Sequence, residues 1–207
     1  MEIETIVLAL AAYFLGSIPT AVWVSKGFHG LDIREHGSKS AGATNTFRVL
    51  GKKSGYVVLF LDIVKGFTAA NLAYFMTDFS NGEYLITYKI IFGLVAVIGH
   101  LFPILAGFKG GKGIATLFGM ILAINPLIAM SLVAIFLFVQ LITNLVSAGS
   151  IVAALAFPLV VNMFYRFTER NFLLFAVFAA ALVLYTHRAN IKRILAGDEK
   201  KIHLFGS

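Results

Sequence analysis

The chain has 207 residues, of which 59% are hydrophobic and 13% are charged. A soluble domain is typically about 45–50% apolar and about a quarter charged, so this composition excludes an ordinary soluble domain and predicts a polytopic membrane protein. The absence of cysteine excludes disulfides and thiolate chemistry, and the net charge of +7 fits membrane topology and anionic ligands better than nucleic acid as a partner.

Seven hydrophobic stretches predict membrane-spanning helices, which need about 20 mainly apolar residues, or fewer where the protein shields a short helix. We predict these helices near residues 5–24, 55–77, 84–105, 114–125, 127–143, 148–165 and 171–186. The fourth stretch is the shortest, and Asn125-Pro126 predicts a tight turn after it. No internal repeat or low-complexity linker is present. We therefore expect an all-α fold, a single domain over residues 1–207 that forms a bundle of seven transmembrane helices.

The distribution of Lys and Arg predicts the orientation of these helices. With seven spans, thirteen cations fall on one side of the membrane, which the positive-inside rule places in the cytoplasm. They are Lys26, Arg34, Lys39, Arg48, Lys52, Lys53, Lys109, Lys112, Arg188, Lys192, Arg193, Lys200 and Lys201. The N-terminus is then outside and the C-terminus cytoplasmic. We expect the polar segments described next to meet at the cytoplasmic face.

The least lipid-like passage runs from Gly37 to Arg48 and reads G-S-K-S-A-G-A-T-N-T-F-R. Its small residues allow a tightly folded backbone that presents N–H groups. Hydroxyl and amide side chains add donors, and the planar guanidinium of Arg48 suits a phosphate. This passage therefore predicts an anion-binding loop.

A second polar segment, G-F-K-G-G-K-G, runs from Gly107 to Gly113 and leads directly into a predicted helix. Glycines free the backbone to wrap a phosphate, and a helix N-terminus adds N–H donors. Ala106 and Gly113 stand where a Walker A loop needs Gly and Ser or Thr, so the segment is not a P-loop. A flexible basic connector is the alternative interpretation.

Two further polar segments lie in the second half of the chain: one at the start of a predicted helix, around Ser147, and one at the end of the last predicted helix, around His187. His187 and Asn190 lie three residues apart and share a helical face, which suits proton transfer or binding of a polyol, although a cationic helix end explains them equally well. Ser147 and Ser150 flank Gly149, and there close packing or helix capping is the simpler explanation.

Several ionisable residues fall inside predicted spans, where they are costly. Asp62 and Lys65 are three apart on one helix and predict an internal ion pair. Lys89 lies near the end of its span and is expected to snorkel, whereas His100 is expected to be a structural core histidine. No G-x-S-x-G or H-E-x-x-H motif and no metal or cofactor motif is present, so chemistry must depend on positioning and cationic stabilisation.

Together these passages resemble the bacterial acyl-phosphate:glycerol-3-phosphate acyltransferase family. The matching stretches, in the family's order, are L-G-S-I-P-T-A, H-G-S-K-S-A-G-A-T-N-T-F-R-V-L-G-K-K, L-D-I-V-K-G, G-H-L-F-P-I-L-A-G-F-K-G-G-K-G-I-A-T, V-S-A-G-S-I and H-R-A-N-I-K-R-I-L-A-G. The resemblance implies seven spans in the bacterial cytoplasmic (inner) membrane and an active site that faces the cytoplasm.

The implied reaction transfers an acyl group from acyl phosphate to the 1-hydroxyl of sn-glycerol 3-phosphate and gives lysophosphatidic acid and phosphate, the first step of phospholipid synthesis. It implies no cofactor, no metal and no covalent acyl-enzyme. The implied partners are the two substrates, the lipid bilayer and, by a functional link, the enzyme that produces acyl phosphate; nucleic acid is not among them. A membrane transporter or flippase of an anionic, phosphate-bearing metabolite or lipid is the alternative function.

The resemblance also assigns roles by motif position. Residues implied in catalysis are Ser38, Arg48, Lys112, His187 and Asn190. Residues implied in substrate binding are Thr44, Asn45, Gly110, Gly111, Gly113, Ser147 and Ser150. The proton acceptor is either the substrate phosphate or His187. The family usually reads G-S-G-N-x-G-A-T-N, whereas Lys39 and Ser40 stand here at the usual Gly-Asn.

Overall fold

The computed structural model describes residues 3–76, 84–165 and 170–202. Within these residues the structure is all-helical and contains no strand. Its α-helices are α1 (Ile3–Ser17), α2 (Thr20–His29), α3 (Ala43–Asn71), α4 (Leu85–Leu101), α5 (Ile114–Ile124), α6 (Pro126–Thr143), α7 (Val146–Tyr165), α8 (Arg170–Thr186) and α9 (Arg188–Leu195). Short 3-10 helices lie at Ile33–Glu35, Leu72–Phe75 and Ile104–Ala106.

The chain divides into two compact units, Met1–Asn125 and Pro126–Ser207. The boundary coincides with the predicted turn at Asn125-Pro126, which is confirmed: Asn125 has an extended backbone and Pro126 opens α6. Proline is well tolerated at a first helical position because its missing N–H would have no partner within the helix. The single domain over residues 1–207 stays a prediction.

Two predicted helix boundaries were wrong. The stretch predicted over 5–24 lies within one candidate span, Ile3–His29, but this span consists of two helices, because the chain breaks at Ile18-Pro19 between α1 and α2. The stretch predicted from residue 55 is the apolar part of a helix that starts at Ala43 and kinks at Gly51, where φ is 82°. Residue 77, its predicted end, lies outside the described residues.

Five helical stretches of the described residues are long and apolar enough to cross a membrane. They are Ile3–His29, Ala43–Phe75, Leu85–Ala106, Pro126–Thr143 and Val146–Tyr165. Helices α8 and α9, bent by 63°, form a sixth if the pair counts as one span. Helix α5 has 11 residues, a length of about 16 Å against a hydrocarbon core of about 30 Å. The seventh span and the orientation of the termini stay predictions.

Glycines bring α3 and α5 together at backbone distance in the first unit. A Cβ on Gly66 would overlap the carbonyl of Thr116, and a Cβ on Gly119 would overlap the carbonyl of Ile63. A second reciprocal glycine pair joins α1 and α4 in the same way. Small residues allow this close approach in membrane helices. The crossing fixes where α5 begins, and therefore where the glycine segment before it lies.

Lys89 on α4 does not snorkel, so that prediction was wrong. It is buried, and its Nζ donates to the carbonyl of Ala123 at 2.7 Å and to the hydroxyl of Tyr74 at 3.1 Å. Because the ammonium is hydrogen-bonded inside the protein, Lys89 does not need to extend to the lipid headgroups.

Candidate functional site

The 36–42 loop, which precedes α3, is shaped by a single buried amide. The Nδ2 of Asn45 donates to the carbonyls of Ile33 at 3.1 Å, His36 at 3.0 Å and Ser40 at 3.1 Å, sharing its two hydrogens among them. Its Oδ1 accepts from the backbone N–H of Ser38 at 2.8 Å. Asn45 therefore folds the loop back on the start of α3, and its predicted contact with substrate stays a prediction.

Other predicted residues of this segment lie on or beside the first turns of α3. Ser38 and Thr44 are exposed, and Arg48 is half-buried. Thr44 and Arg48 are four residues apart on the helix and so share a face. Helix α3 starts after Gly42, which offers no side-chain cap. The loop therefore combines exposed hydroxyls, a guanidinium and the N-terminus of a helix, an arrangement suited to an anion.

Lys39 has a left-handed backbone with φ of 59°. Glycine adopts this conformation freely, whereas a residue with a Cβ pays about 1 kcal/mol or more for it. A left-handed backbone suits the glycine that the resemblance leads us to expect at this position. The replacement has therefore kept a glycine-like backbone shape and added a cation.

The glycine-rich loop, Gly107–Gly113, passes close to the end of α4. A Cβ on Gly110 would overlap the carbonyl of His100, and a Cβ on Gly111 would overlap the His100 ring and lie 2.7 Å from the carbonyl of Ala41. Gly113, with φ of 79°, precedes α5. Packing therefore requires glycine at positions 110 and 111, and the positive φ favours glycine at position 113. The sequence alone did not reveal these reasons. The predicted contacts of these glycines with phosphate stay predictions.

The two loops are tied together. The N–H of Ala41 donates to the carbonyl of Gly110 at 3.4 Å, and Nη1 of Arg34 donates to the carbonyl of Ala106 at 2.7 Å. Arg34 is itself held by Asp32, whose Oδ2 lies 2.7 Å from Nη2. This hydrogen-bonded Arg34 side chain holds the pKa of the Asp32 carboxyl well below its usual range. The first two predicted anion-binding segments are therefore neighbours, and Lys112, half-buried, lies in the second of them.

Four buried polar side chains from α2, α3 and α4 form a network next to the glycine-rich loop. Asp62 and Lys65 form the predicted ion pair, with Nζ 2.7 Å from Oδ1, so that prediction is confirmed. Thr20 donates to the same oxygen at 2.6 Å, and His100 places Nδ1 at 3.6 Å from it. The ring of His100 thus faces a carboxylate and not only the backbone. We call Thr20, Asp62, Lys65 and His100 the Asp62 network.

In the second unit, His187 lies at the bend between α8 and α9 and is buried. Its Nδ1 lies 2.9 Å from the carbonyl of Val183. Because a carbonyl can only accept, Nδ1 carries the hydrogen of this contact, and Nε2 is then the acceptor nitrogen when the ring is neutral. His187 is therefore in the tautomer that a general base acting through Nε2 requires.

Asn190 and Ser147 share one carboxylate, that of Glu199. Asn190 Nδ2 donates to Oε1 at 2.6 Å, Ser147 Oγ donates to the same oxygen at 2.8 Å, and Arg193 Nε donates to Oε2 at 2.7 Å. Burial alone raises the pKa of Glu199, but these three hydrogen bonds outweigh it and hold the pKa below its usual value. We call Ser147, Asn190, Arg193 and Glu199 the Glu199 cluster.

Sequence reasoning missed Glu199. Its one signal was an acidic residue within a basic tail, a pattern too common to indicate a site. The tail is also fixed beyond it, since Ile202 bonds through its N–H to the carbonyl of Asn144 at 2.9 Å and through its carbonyl to Gln140 at 2.9 Å. Ser150 donates to the carbonyl of Val146 at 3.0 Å, so its predicted role in binding stays a prediction. Among the described residues, no three His, Cys, Asp or Glu side chains are grouped so as to hold a metal.

The chain is similar to known proteins along almost its whole length. The family model described as glycerol-3-phosphate acyltransferase matches residues 6–197. A glycerol-3-phosphate acyltransferase of Fusobacterium nucleatum subsp. nucleatum is 44% identical over 191 residues, which cover 91% of this chain and 93% of the relative. One from Listeria monocytogenes serovar 1/2a is 42% identical and covers 98% of each chain.

Two crystal structures of PlsY (YgiH), an integral membrane glycerol 3-phosphate acyltransferase, have the same fold. The glycerol 3-phosphate form has a TM-score of 0.83 and 38% identity and covers 96% of both chains. The lysophosphatidic acid form has a TM-score of 0.81 and 37% identity and covers 96% of this chain and 95% of that one. The chain therefore belongs to the glycerol-3-phosphate acyltransferase family of integral membrane enzymes.

Proposed function

We propose that this enzyme transfers an acyl group from acyl phosphate to the 1-hydroxyl of sn-glycerol 3-phosphate, giving lysophosphatidic acid and phosphate. The observation that carries the proposal is the hydrogen bond from Ala41 to Gly110, which joins two loops rich in donors and cations. Such a pair of loops suits a reaction in which both substrates carry phosphate. The crystallised relative has a glycerol 3-phosphate form and a lysophosphatidic acid form, the acceptor and the product of this reaction.

The donor is already activated, because phosphate is a good leaving group from an acyl phosphate. The glycerol hydroxyl oxygen attacks the acyl carbon, the bond from that carbon to the phosphate oxygen breaks, and no covalent acyl-enzyme forms. Lys112 or Arg48 stabilises the negative charge on the departing phosphate. The remaining predicted residues, among them Ser38, Thr44 and Asn190, orient the substrates for that attack.

The hydroxyl proton passes either to a phosphate oxygen of the substrates or to Nε2 of His187. The tautomer of His187 permits the second route. We expect His187→Ala to retain measurable turnover if the substrate phosphate is the acceptor. Loss of all turnover, with normal binding of glycerol 3-phosphate by calorimetry, would contradict substrate-assisted proton transfer and favour His187.

For the membrane arrangement we propose seven spans, with α5 as the short one, the N-terminus outside and the active site at the cytoplasmic face of the bacterial inner membrane. The basic segments Lys26–Lys53 and Arg188–Lys201 support this orientation through the positive-inside rule. The acyl-phosphate-producing enzyme is the expected functional partner. Cysteine labelling of single-cysteine variants from each side of the membrane tests the topology, since the natural chain has no cysteine.

The test of the reaction measures phosphate release from acyl phosphate by the purified protein in detergent, with and without glycerol 3-phosphate. We expect release that depends on glycerol 3-phosphate, together with formation of acylated product. Uptake of glycerol 3-phosphate into vesicles without product would favour the transporter alternative. Asp62 and Lys65, the charges that a transporter would use, are paired with each other.

A further inference from the structure

The Asp62 network is a set of four buried polar side chains in the first unit that the proposed reaction leaves without a role. Thr20, Asp62, Lys65 and His100 are 6%, 1%, 5% and 6% exposed, so all four are shielded from bulk solvent. Ionisable groups placed within membrane spans are costly and call for a functional explanation.

An ion pair alone does not account for the network. Asp62 and Lys65 already balance each other's charge, yet Thr20 and His100 also approach the carboxylate oxygen Oδ1, at 2.6 and 3.6 Å. Lys65 makes a further donation, to the carbonyl of Ile18 at the break between α1 and α2, at 3.1 Å. The network therefore joins the start of α2, the middle of α3 and the end of α4.

His100 connects this network to the glycine-rich loop. Its Nδ1 faces Asp62, whereas the Nε2 edge of its ring stands where a Cβ on Gly111 would be. Its carbonyl accepts from the N–H of Gly111 at 3.3 Å, and Gly110 in turn accepts from Ala41 of the 36–42 loop. A small cavity is lined by Thr20, Lys65 and His100 of the network together with Ala41 and Gly110 of the two loops.

We propose that His100, held by Asp62, is a positioning residue for the glycine-rich loop. Thr20 and Lys65 fix the carboxylate, the carboxylate fixes the imidazole ring, and the ring and backbone of His100 hold Gly110 and Gly111 in the conformation that receives a substrate phosphate. The role in substrate binding rests on the proposed function, whereas the support of the loop backbone does not.

The sharpest test compares two threonine variants of the full-length protein that remove the same atoms. Thr20→Val removes a donor from the network. Thr5→Val is the matched control, because Thr5 is also buried, on α1, and its hydroxyl contacts Met76 at 3.9 Å and not the network. Hydrogen exchange of a peptide covering residues 107–113 reports on the loop, and KM and kcat for both substrates report on its use.

We expect Thr20→Val to raise exchange in the glycine-rich loop and to raise KM for at least one phosphate substrate about tenfold, the effect of losing a hydrogen bond to a charged group. The value of kcat should stay within about twofold, since loss of uniform binding raises KM alone. Thr5→Val should leave exchange and KM unchanged. Wild-type exchange and KM in a folded Thr20→Val variant would overturn the proposal.

Two substitutions of His100 separate the two ends of the ring. His100→Asn keeps a donor near Asp62 and removes the end at Gly111, whereas His100→Gln keeps a polar group near that end. We expect His100→Asn to loosen the loop and His100→Gln to restore part of its protection. Equal protection in both variants and in the wild type would contradict the role of the ring. A wild-type protein without glycerol 3-phosphate-dependent phosphate release would instead refute the proposed function, and the exchange results would still decide the positioning role.

Discussion

The two polar regions of this enzyme are built by different means. In the first unit, the 36–42 loop and the glycine-rich loop are shaped by backbone groups, which Asn45 and His100 hold in place. In the second unit, the Glu199 cluster is made of side chains that converge on one carboxylate. The first region carries Arg48 and Lys112 in or beside its loops, whereas the second directs three donors to a carboxylate of the chain itself. We infer that charge stabilisation belongs chiefly to the first region and orientation to the second.

Replacement of Lys112 tests the first half of this comparison. We expect Lys112→Ala to lower kcat by about 100- to 1000-fold, the usual cost of removing a group that stabilises developing negative charge. Lys53→Ala, which removes an exposed cation from α3, is the control and should keep kcat within about twofold. The measurement is steady-state phosphate release. Near-normal turnover of Lys112→Ala would exclude its role with the leaving phosphate.

Asn45→Asp tests whether the first region depends on backbone organisation. The substitution keeps the shape of the side chain but turns a donor that serves three carbonyls into an acceptor. We expect it to lower the free energy of unfolding by about 3 kcal/mol, because a buried group loses its partners and faces like charge. Thermal unfolding in detergent measures the effect. A stable and fully active variant would show that the loop is held by other contacts.

Glu199→Gln makes the corresponding change in the second region. A neutral amide keeps one acceptor oxygen and loses the charge-assisted bonds, so we expect a loss of about 1–3 kcal/mol in the free energy of unfolding. The effect on KM for glycerol 3-phosphate should exceed the effect on kcat, because Asn190 and Ser147 lose their orientation. Unchanged stability and KM would remove Glu199 from the site.

The same residue gives a pH dependence. Because hydrogen bonds lower the pKa of Glu199 in the folded protein, its contribution to stability is full above the ordinary glutamate pKa and is lost as the pH falls through the lowered value. The wild type should therefore lose more melting temperature than Glu199→Gln between neutral and acidic pH. Parallel pH profiles of the two proteins would contradict this linkage.

Substitution of Lys39, which has a left-handed backbone, is expected to give the smallest change in the free energy of unfolding. We expect Lys39→Gly to raise the free energy of unfolding by at most about 1 kcal/mol, since relief of strain outweighs the added freedom of the unfolded chain. Lys109→Gly is the matched control: it removes an exposed lysine that has a negative φ, and it should destabilise by about 0.5–1 kcal/mol. Differential scanning fluorimetry compares the pair. A loss of stability in both variants would show that Lys39 has compensating contacts.

The membrane class, the polar segments and the Asp62–Lys65 pair could be predicted from the sequence, because hydropathy and helical spacing are local properties. The break at Pro19 and the early start of α3 could not be predicted. Hydropathy locates apolar runs, but it does not locate a helix end inside such a run or a helix start in the polar passage before it. Lys89 was misjudged because its partners come from other helices.

Within the candidate site, what escaped prediction depends on contacts distant in sequence. Glu199 collects donors from Ser147, 52 residues earlier, and from Asn190. The glycines of the glycine-rich loop were attributed to phosphate binding, whereas the structure shows that Gly110 and Gly111 are also required by contact with His100. A sequence indicates which residues are small or charged, but it does not indicate which neighbouring residue leaves no room for a larger side chain.

The backbone contact between α3 and α5 bears on how the protein responds to changes in bilayer thickness. At Gly66 and Gly119 the two helices meet without intervening side chains, so neither can slide along the other without a steric clash. Bilayers that thicken or thin with growth temperature act on the outer, lipid-facing side chains. We expect this interlocked pair to resist such deformation, and the glycine-rich loop to keep its shape while the surrounding membrane changes.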